Sequence, residues 1–247
     1  MGMSVCSQAI KLQHALELLE TQTISSFMNY MKDLYSQANE QKSKGVQRLV
    51  KDKRFAKAYT LATALGFEHP KLEKLKEIIA ERIKENKDSK IIVFTQFRDT
   101  VSKLSETLNK IQGIKTGVFV GQAKKTNQKG QSTGLNQKEQ KQMIEDFSAG
   151  KINVLIATSI AEEGLDIPEV NEVIFYEPVP SAIRKIQRAG RTARLMKGSL
   201  KILITKNTRD QSYHYASQAK EKRMHKAIES IQGELNHEEE KQKKLFQ

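Results

Sequence analysis

The sequence predicts an α/β fold, a parallel sheet with helices on both faces, preceded by an all-helical region. Two observations predict it. From about residue 88 onward, short apolar runs alternate with amphipathic helical patterns, as in a parallel sheet wrapped by its crossover helices. Before that point apolar residues recur at helical spacing and no run reads as a strand. The 247 residues suffice for one or two domains with a real core. The expected division is a helical region over 1–87, an α/β domain over 88–232 and a charged tail over 233–247.

The elements follow in order. Residues 9–20 place Ile10, Leu12, Leu16 and Leu19 roughly on one helical face. Residues 24–38 carry Ile24, Phe27, Met28, Met31, Leu34 and Tyr35 at i, i+3, i+4, i+7 spacing. Lys42-Ser43-Lys44-Gly45 breaks that run, and a third helix is expected over 46–65, closed by Gly66. Pro70 opens a fourth through Leu72, Leu75, Ile78, Ile79 and Ile83. Ile91–Phe94 reads as a buried strand, followed by a helix over 98–111 and a short strand over Val118–Val120. A helix over 137–148 is expected behind Asn136, with Glu139 at capping-box spacing. Strands follow at Val154–Ile156, Val173–Phe175 and Leu200–Thr205, with helices over 181–194 and 208–231. The polar stretch 121–136 is long for a loop in a compact domain. The tail is expected to fray or to lead into a linker.

Charge narrows the function. Lys and Arg number 42 against 29 acids, a net charge of +13, so a polyanion, usually nucleic acid, is the expected partner. The distribution says more than the total. Pro178 to Arg209 holds nine basic residues and no acid, and Thr107 to Lys138 is again free of acids. Between them, Ile152 to Ile183 holds Glu162, Glu163, Asp166, Glu169, Glu172 and Glu177 with no base. Any one of these runs alone reads equally as a solvated face. Together they suit a domain that holds phosphate at some edges.

The sharpest local pattern is Gln187-Arg188-Ala189-Gly190-Arg191-Thr192-Ala193-Arg194. On a helix, Arg184, Arg188 and Arg191 share a face, and Arg194 follows at the helix end. Arginine offers a planar fork of donors that stays charged, so such a face is either a phosphate clamp or a basic surface helix. The run resembles motif VI of superfamily 2 helicases. Val154–Ser159 with Glu162–Glu169 resembles motif V, Ile92–Arg98 resembles motif IV, and Gly121-Gln122 resembles motif IVa, in the family's order. The likeness is greatest to the archaeal Hef helicases and their Fanconi anaemia group M relatives, above all over Phe175–Arg194, and it runs from about residue 10 to about residue 230.

The resemblance implies a RecA-like domain and a thumb-like helical insertion that grips branched DNA. It implies that Arg191 and Arg194 are arginine fingers on the transferring phosphoryl group. Gln187 and Arg188 would support the nucleotide cleft, Asp166 would meet the ribose, and Gly164 would allow close approach. Gln96, Phe97, Arg98, Gly121, Gln122 and Thr158 would touch nucleic-acid phosphates. Thr158 reads equally as an ordinary strand-end hydroxyl. Ala193 stands where glycine is commoner, which makes Arg194 the less secure finger.

The chain carries no G-x-x-x-x-G-K-[ST] phosphate loop and no acidic box. Both belong to the first lobe in the resembling family. The expectation is therefore the C-terminal motor lobe of an ATP-dependent DNA helicase or translocase acting on forked or branched DNA, inactive alone. ATP and Mg2+ would serve the full-length enzyme, and its partners would be the missing N-terminal lobe and possibly a nuclease domain. A passive nucleic-acid-binding module and a lobe of a double-stranded-RNA helicase are the alternatives. Five scattered histidines and lone Cys6 give no metal-ligand spacing. One cysteine also excludes an internal disulfide. No apolar run approaches a membrane span, and no signal peptide follows Met1. A monomer in the cytoplasm, associated with the nucleoid, is expected.

Overall fold

The computed structural model describes residues 2–121, 134–158, 168–179, 181 and 199–245. Five helices come first: α1 (Gly2–Thr21), α2 (Ile24–Asn39), α3 (Lys44–Lys51), α4 (Lys53–Thr63) and α5 (Pro70–Glu85). Then follow β1 (Ile91–Phe94), α6 (Arg98–Leu108), β2 (Thr116–Phe119), α7 (Gln137–Ser148) and β3 (Val154–Ala157). The described elements end with β4 (Glu172–Phe175), β5 (Ser199–Ile202) and α8 (Arg209–Leu245). The helix expected over 181–194 lies outside the described residues apart from Ser181, as does most of the loop expected over 121–136.

The five strands are parallel, in the order β2-β3-β1-β4-β5. Alternate side chains of a strand point to opposite faces, and two separate cores result. Ile91, Val93, Val154, Ile156 and Ile174 face α5 and α6, meeting Leu75, Ile79, Val101 and Leu104. Ile92, Phe94, Leu155, Val173 and Phe175 face the other way, meeting Phe147 of α7. A third cluster lies within the helical region, built from Leu18, Phe27, Met31, Leu34, Val46, Leu49 and Phe55.

Several expectations are corrected. α5, expected within the helical region, seats its apolar face on the sheet. In α1, Ala15 and Leu18 are the buried apolar residues among those described, whereas Ile10 and Leu16 are 66% and 52% exposed. Helical spacing marks an apolar face but does not say which face is covered. The helix expected over 46–65 is two helices, α3 and α4, broken at Asp52. Its carboxylate accepts from the Arg54 backbone N–H at 2.8 Å and caps a fresh start, a local bond with which a continuous helix must compete. The second of them ends at Thr63, before Gly66.

β2 begins two residues earlier than expected, at Thr116, because its ladder to β3 extends to Val154. Gly117 within it meets α7 closely: a Cβ there would lie 2.6 Å from Met143 Sδ. The expected fraying tail is instead part of α8, helical through Leu245. The capping box is present as expected. The Asn136 side chain accepts from the Glu139 N–H at 2.9 Å, and Glu139 accepts from the Asn136 N–H at 2.7 Å.

Candidate nucleic-acid interface

Parallel strands share one carboxyl edge, and in open α/β sheets ligands bind there, where connections leave in opposite directions. Here β1 leads toward β2 on one side, whereas β4 and β5 lie on the other. The residues just past the strands extend the ladder by one step. Thr95 donates its N–H to Ala157 O at 3.0 Å, Thr158 to Phe119 O at 3.1 Å and Tyr176 to Phe94 O at 2.9 Å. The rim is therefore set by the sheet itself.

The expected nucleic-acid residues that are described stand along this rim. Gln96 is exposed, and Phe97 and Arg98 are half-buried. Arg98 Nη2 donates to the Gly121 carbonyl at 3.1 Å, tying the loop after β1 to the end of β2. The Gln140 amide holds the neighbouring Val120 carbonyl at 3.1 Å. Thr158 is buried at the end of β3. Phe97 differs from the expectation: it packs against the helical core and 5.6 Å from the His14 ring. Gln122, Gly164, Asp166, Gln187, Arg188, Arg191 and Arg194 lie outside the described residues.

The acidic run proves partly internal. Glu172 is buried with Arg82 at 3.8 Å and Lys201 at 2.8 Å. Glu177 is 3% exposed and accepts from Gln22 Nε2 at 3.2 Å, Thr95 Oγ1 at 3.1 Å and the Gln96 N–H. Two members of the basic run are likewise structural. Lys201 pairs with Glu172, and Arg209 pairs with Glu17 at 3.0 Å.

Beside the rim, Lys71 is buried against Asp210, donates to the Thr21 carbonyl at 3.1 Å and stands 5.4 Å from the Tyr176 ring centre. Burial pulls its ammonium below the usual lysine range, and Asp210 opposes that pull. Burial likewise pushes the Tyr176 phenol up. Glu68 accepts from the Ile24 N–H at 2.9 Å and Ser25 Oγ at 2.6 Å, with Lys103 at 3.2 Å. Burial raises its carboxyl, but these donors outweigh burial and hold it below its ordinary value. Gln22, Lys71 and Glu177 carried no sequence signal for this role, because their partners lie far along the chain.

Among the described residues no group of three or more His, Cys, Asp or Glu could hold a metal ion. No helix among them is long and apolar enough to cross a membrane. What the rim offers is the exposed amide side chain of Gln96 and the positioned guanidinium of Arg98. These donors suit phosphate oxygens.

Known proteins share this sequence pattern. The family described as "Helicase conserved C-terminal domain" matches residues 70–196. The family described as "Putative ATP-dependent RNA helicase, helical bundle" matches residues 3–68. A Methanocaldococcus jannaschii protein bearing the name "Putative ATP-dependent RNA helicase" is 43% identical over 227 residues, 92% of this chain and 28% of that protein. The Fanconi anemia group M protein homolog of Mus musculus is 33% identical over 223 residues, 86% of this chain and 10% of that protein. The helicase domain of Pyrococcus furiosus Hef has the same fold, with a TM-score of 0.65 and 48% identity over 85% of this chain and 42% of that one. The chain thus spans less than a third of the curated relatives it matches.

Proposed function

The chain belongs to the helicase conserved C-terminal domain family, and on that premise we propose that it is the second, RecA-like motor lobe of an ATP-dependent helicase or translocase. Its substrate is forked or branched DNA, and its helical region is the insertion that grips it. The observation that carries this reading is the bond from Arg98 to the Gly121 carbonyl. It brings the two expected phosphate-binding loops together on the carboxyl edge of the sheet, although they are 23 positions apart in sequence.

The roles divide by element. Gln96, Arg98, Gly121, Gln122 and Thr158 bind the strand's phosphates, with Phe97 anchoring their loop. Gly164, Asp166, Gln187 and Arg188 hold the nucleotide opposite the first lobe, which lies elsewhere in the full-length protein and supplies the phosphate cradle and the Mg2+ ligands. ATP hydrolysis supplies the energy for stepping. Arg191 and Arg194 reach across the cleft and stabilise charge on the transferring phosphoryl group. The lobe alone is inactive as an ATPase, works as a monomer and acts in the nucleoid-associated cytoplasm. The names of the relatives say DNA helicase for the Neurospora crassa protein mph1 and RNA helicase for the archaeal protein.

Two experiments test this. Joined to its first lobe, Arg191→Ala should lose roughly 10³-fold or more in DNA-stimulated ATPase while still binding DNA. Activity at the parent level removes the finger assignment. Forked DNA should outcompete duplex RNA for the 247-residue chain, and binding should weaken steeply with salt. Preference for duplex RNA reassigns the substrate.

A further inference from the structure

The helical region and the rim meet at one side chain. Gln22 lies in the turn between α1 and α2 and is fully buried. Its Nε2 donates to Glu177 at 3.2 Å, and its Oε1 accepts from Thr100 Oγ1 at 2.9 Å. An ionised carboxylate only accepts, so the amide must present its NH2 to Glu177, and the orientation of Gln22 is fixed by its partners. Glu177 in turn holds Thr95 Oγ1 and the Gln96 N–H. Thr100 also bonds Ser26 Oγ of α2 at 3.0 Å.

The consequence is geometric. The Gln96–Arg98 loop is gripped at its start through Glu177 and just past its end at Thr100. Both grips lead to Gln22. A buried negative charge beside a phosphate-binding rim has the wrong sign for binding, and burying it is costly unless it is hydrogen-bonded. What it supplies is the acceptor geometry that aligns the loop. We infer that Glu177 and Gln22 are positioning residues that couple the helical region to the Gln96–Arg98 loop, so that a shift of one moves the other. The loop passes that shift to the end of β2 through the bond from Arg98 to Gly121. The part that concerns nucleic acid rests on the reading of that loop as a phosphate contact.

Hydrogen exchange on the 247-residue chain tests the coupling without any ligand. Gln22→Ala should speed exchange at Gln96–Arg98 by about tenfold, the loss of one such hydrogen bond, and leave the amides of β3 unchanged. Thr100→Val removes the other anchor and should act in the same direction if Gln22→Ala does not fold. Unchanged exchange at the loop in a folded variant overturns the coupling.

Binding of labelled forked DNA gives an independent arm. Glu177→Gln should weaken it by roughly three- to tenfold, although the change makes the chain more positive. The double variant with Gln22→Ala should be no weaker than Glu177→Gln alone, since both act through one network. Binding that is equal or tighter in Glu177→Gln overturns the inference. A parent chain that binds neither forked DNA nor duplex RNA overturns the proposed function instead, and the exchange result still decides the coupling.

Discussion

The interior of the sheet and the seam beneath the helical region are buried to the same depth but made of opposite chemistry. All four residues of β1 are apolar and fully buried, and so are those of β3. The seam is also out of water, yet it consists of Thr21, Gln22, Thr23, Ser26, Thr100, Glu177, Lys71 and Asp210. Apolar contact is strong in sum and indifferent to direction. A hydrogen bond adds little net stability but fixes distance and angle, and a buried one left unmade is expensive. The sheet is thus built to hold, and the seam is built to orient.

Three changes sharpen that contrast. Lys71→Met should have the largest effect, about 4 kcal/mol of lost stability by urea unfolding, because Asp210 is left charged and buried. Adding Asp210→Asn should recover more than half, since the amide oxygen can still accept from the Thr205 N–H, as the carboxylate does at 3.0 Å. No recovery would mean that the pair acts through packing rather than charge. Leu75→Ala, in the apolar core between α5 and the sheet, should cost about 3 kcal/mol. It should leave exchange at Gln96–Arg98 unchanged relative to β3, which is where it would part from Gln22→Ala.

The smallest effect is one of pH. His69 caps α5: its Nδ1 accepts from the Lys71 N–H at 3.2 Å and its Nε2 meets the Glu20 carbonyl at 2.8 Å. Burial holds its imidazole below the ordinary value. The unfolded chain therefore takes up the proton first as pH falls. The stability that His69 contributes is complete above about pH 6.5 and is lost on acidification below it. The urea midpoint should drop between pH 7.5 and 5.5, and less so in His69→Asn, which keeps a capping side chain without titrating. Equal pH dependence in both proteins would place the sensitivity elsewhere.

The same contrast explains what could be read from the sequence. Apolar periodicity identified α2, α5 and the four-residue β1 because burial of those residues is local and repetitive. The α7 capping box was legible because both halves lie three residues apart. The apolar spacing of α1 identifies the helix but not its covered face, since Ala15 and Leu18 are buried whereas Ile10 and Leu16 are exposed. The break at Asp52 was hidden because a single side-chain bond decides between one helix and two. Gln22 and Glu177 are 155 residues apart, so neither looks unusual until the fold brings them together. The rim residues Gln96, Arg98, Gly121 and Thr158 were found through motif order, and the sheet explains why that order places them along one line.

α8 carries a mechanical consequence. It is 37 residues long, about 55 Å at helical rise, and its buried described residues, Asp210 and Ser217, both lie near its start. From Gln218 to Ser230 no residue is buried, and a rod held near its start amplifies what happens there. A tilt of about 5° at Asp210 would swing the far tip through roughly 5 Å, so movement beside Lys71 and Tyr176 would reach the far end of the helix as a much larger stroke.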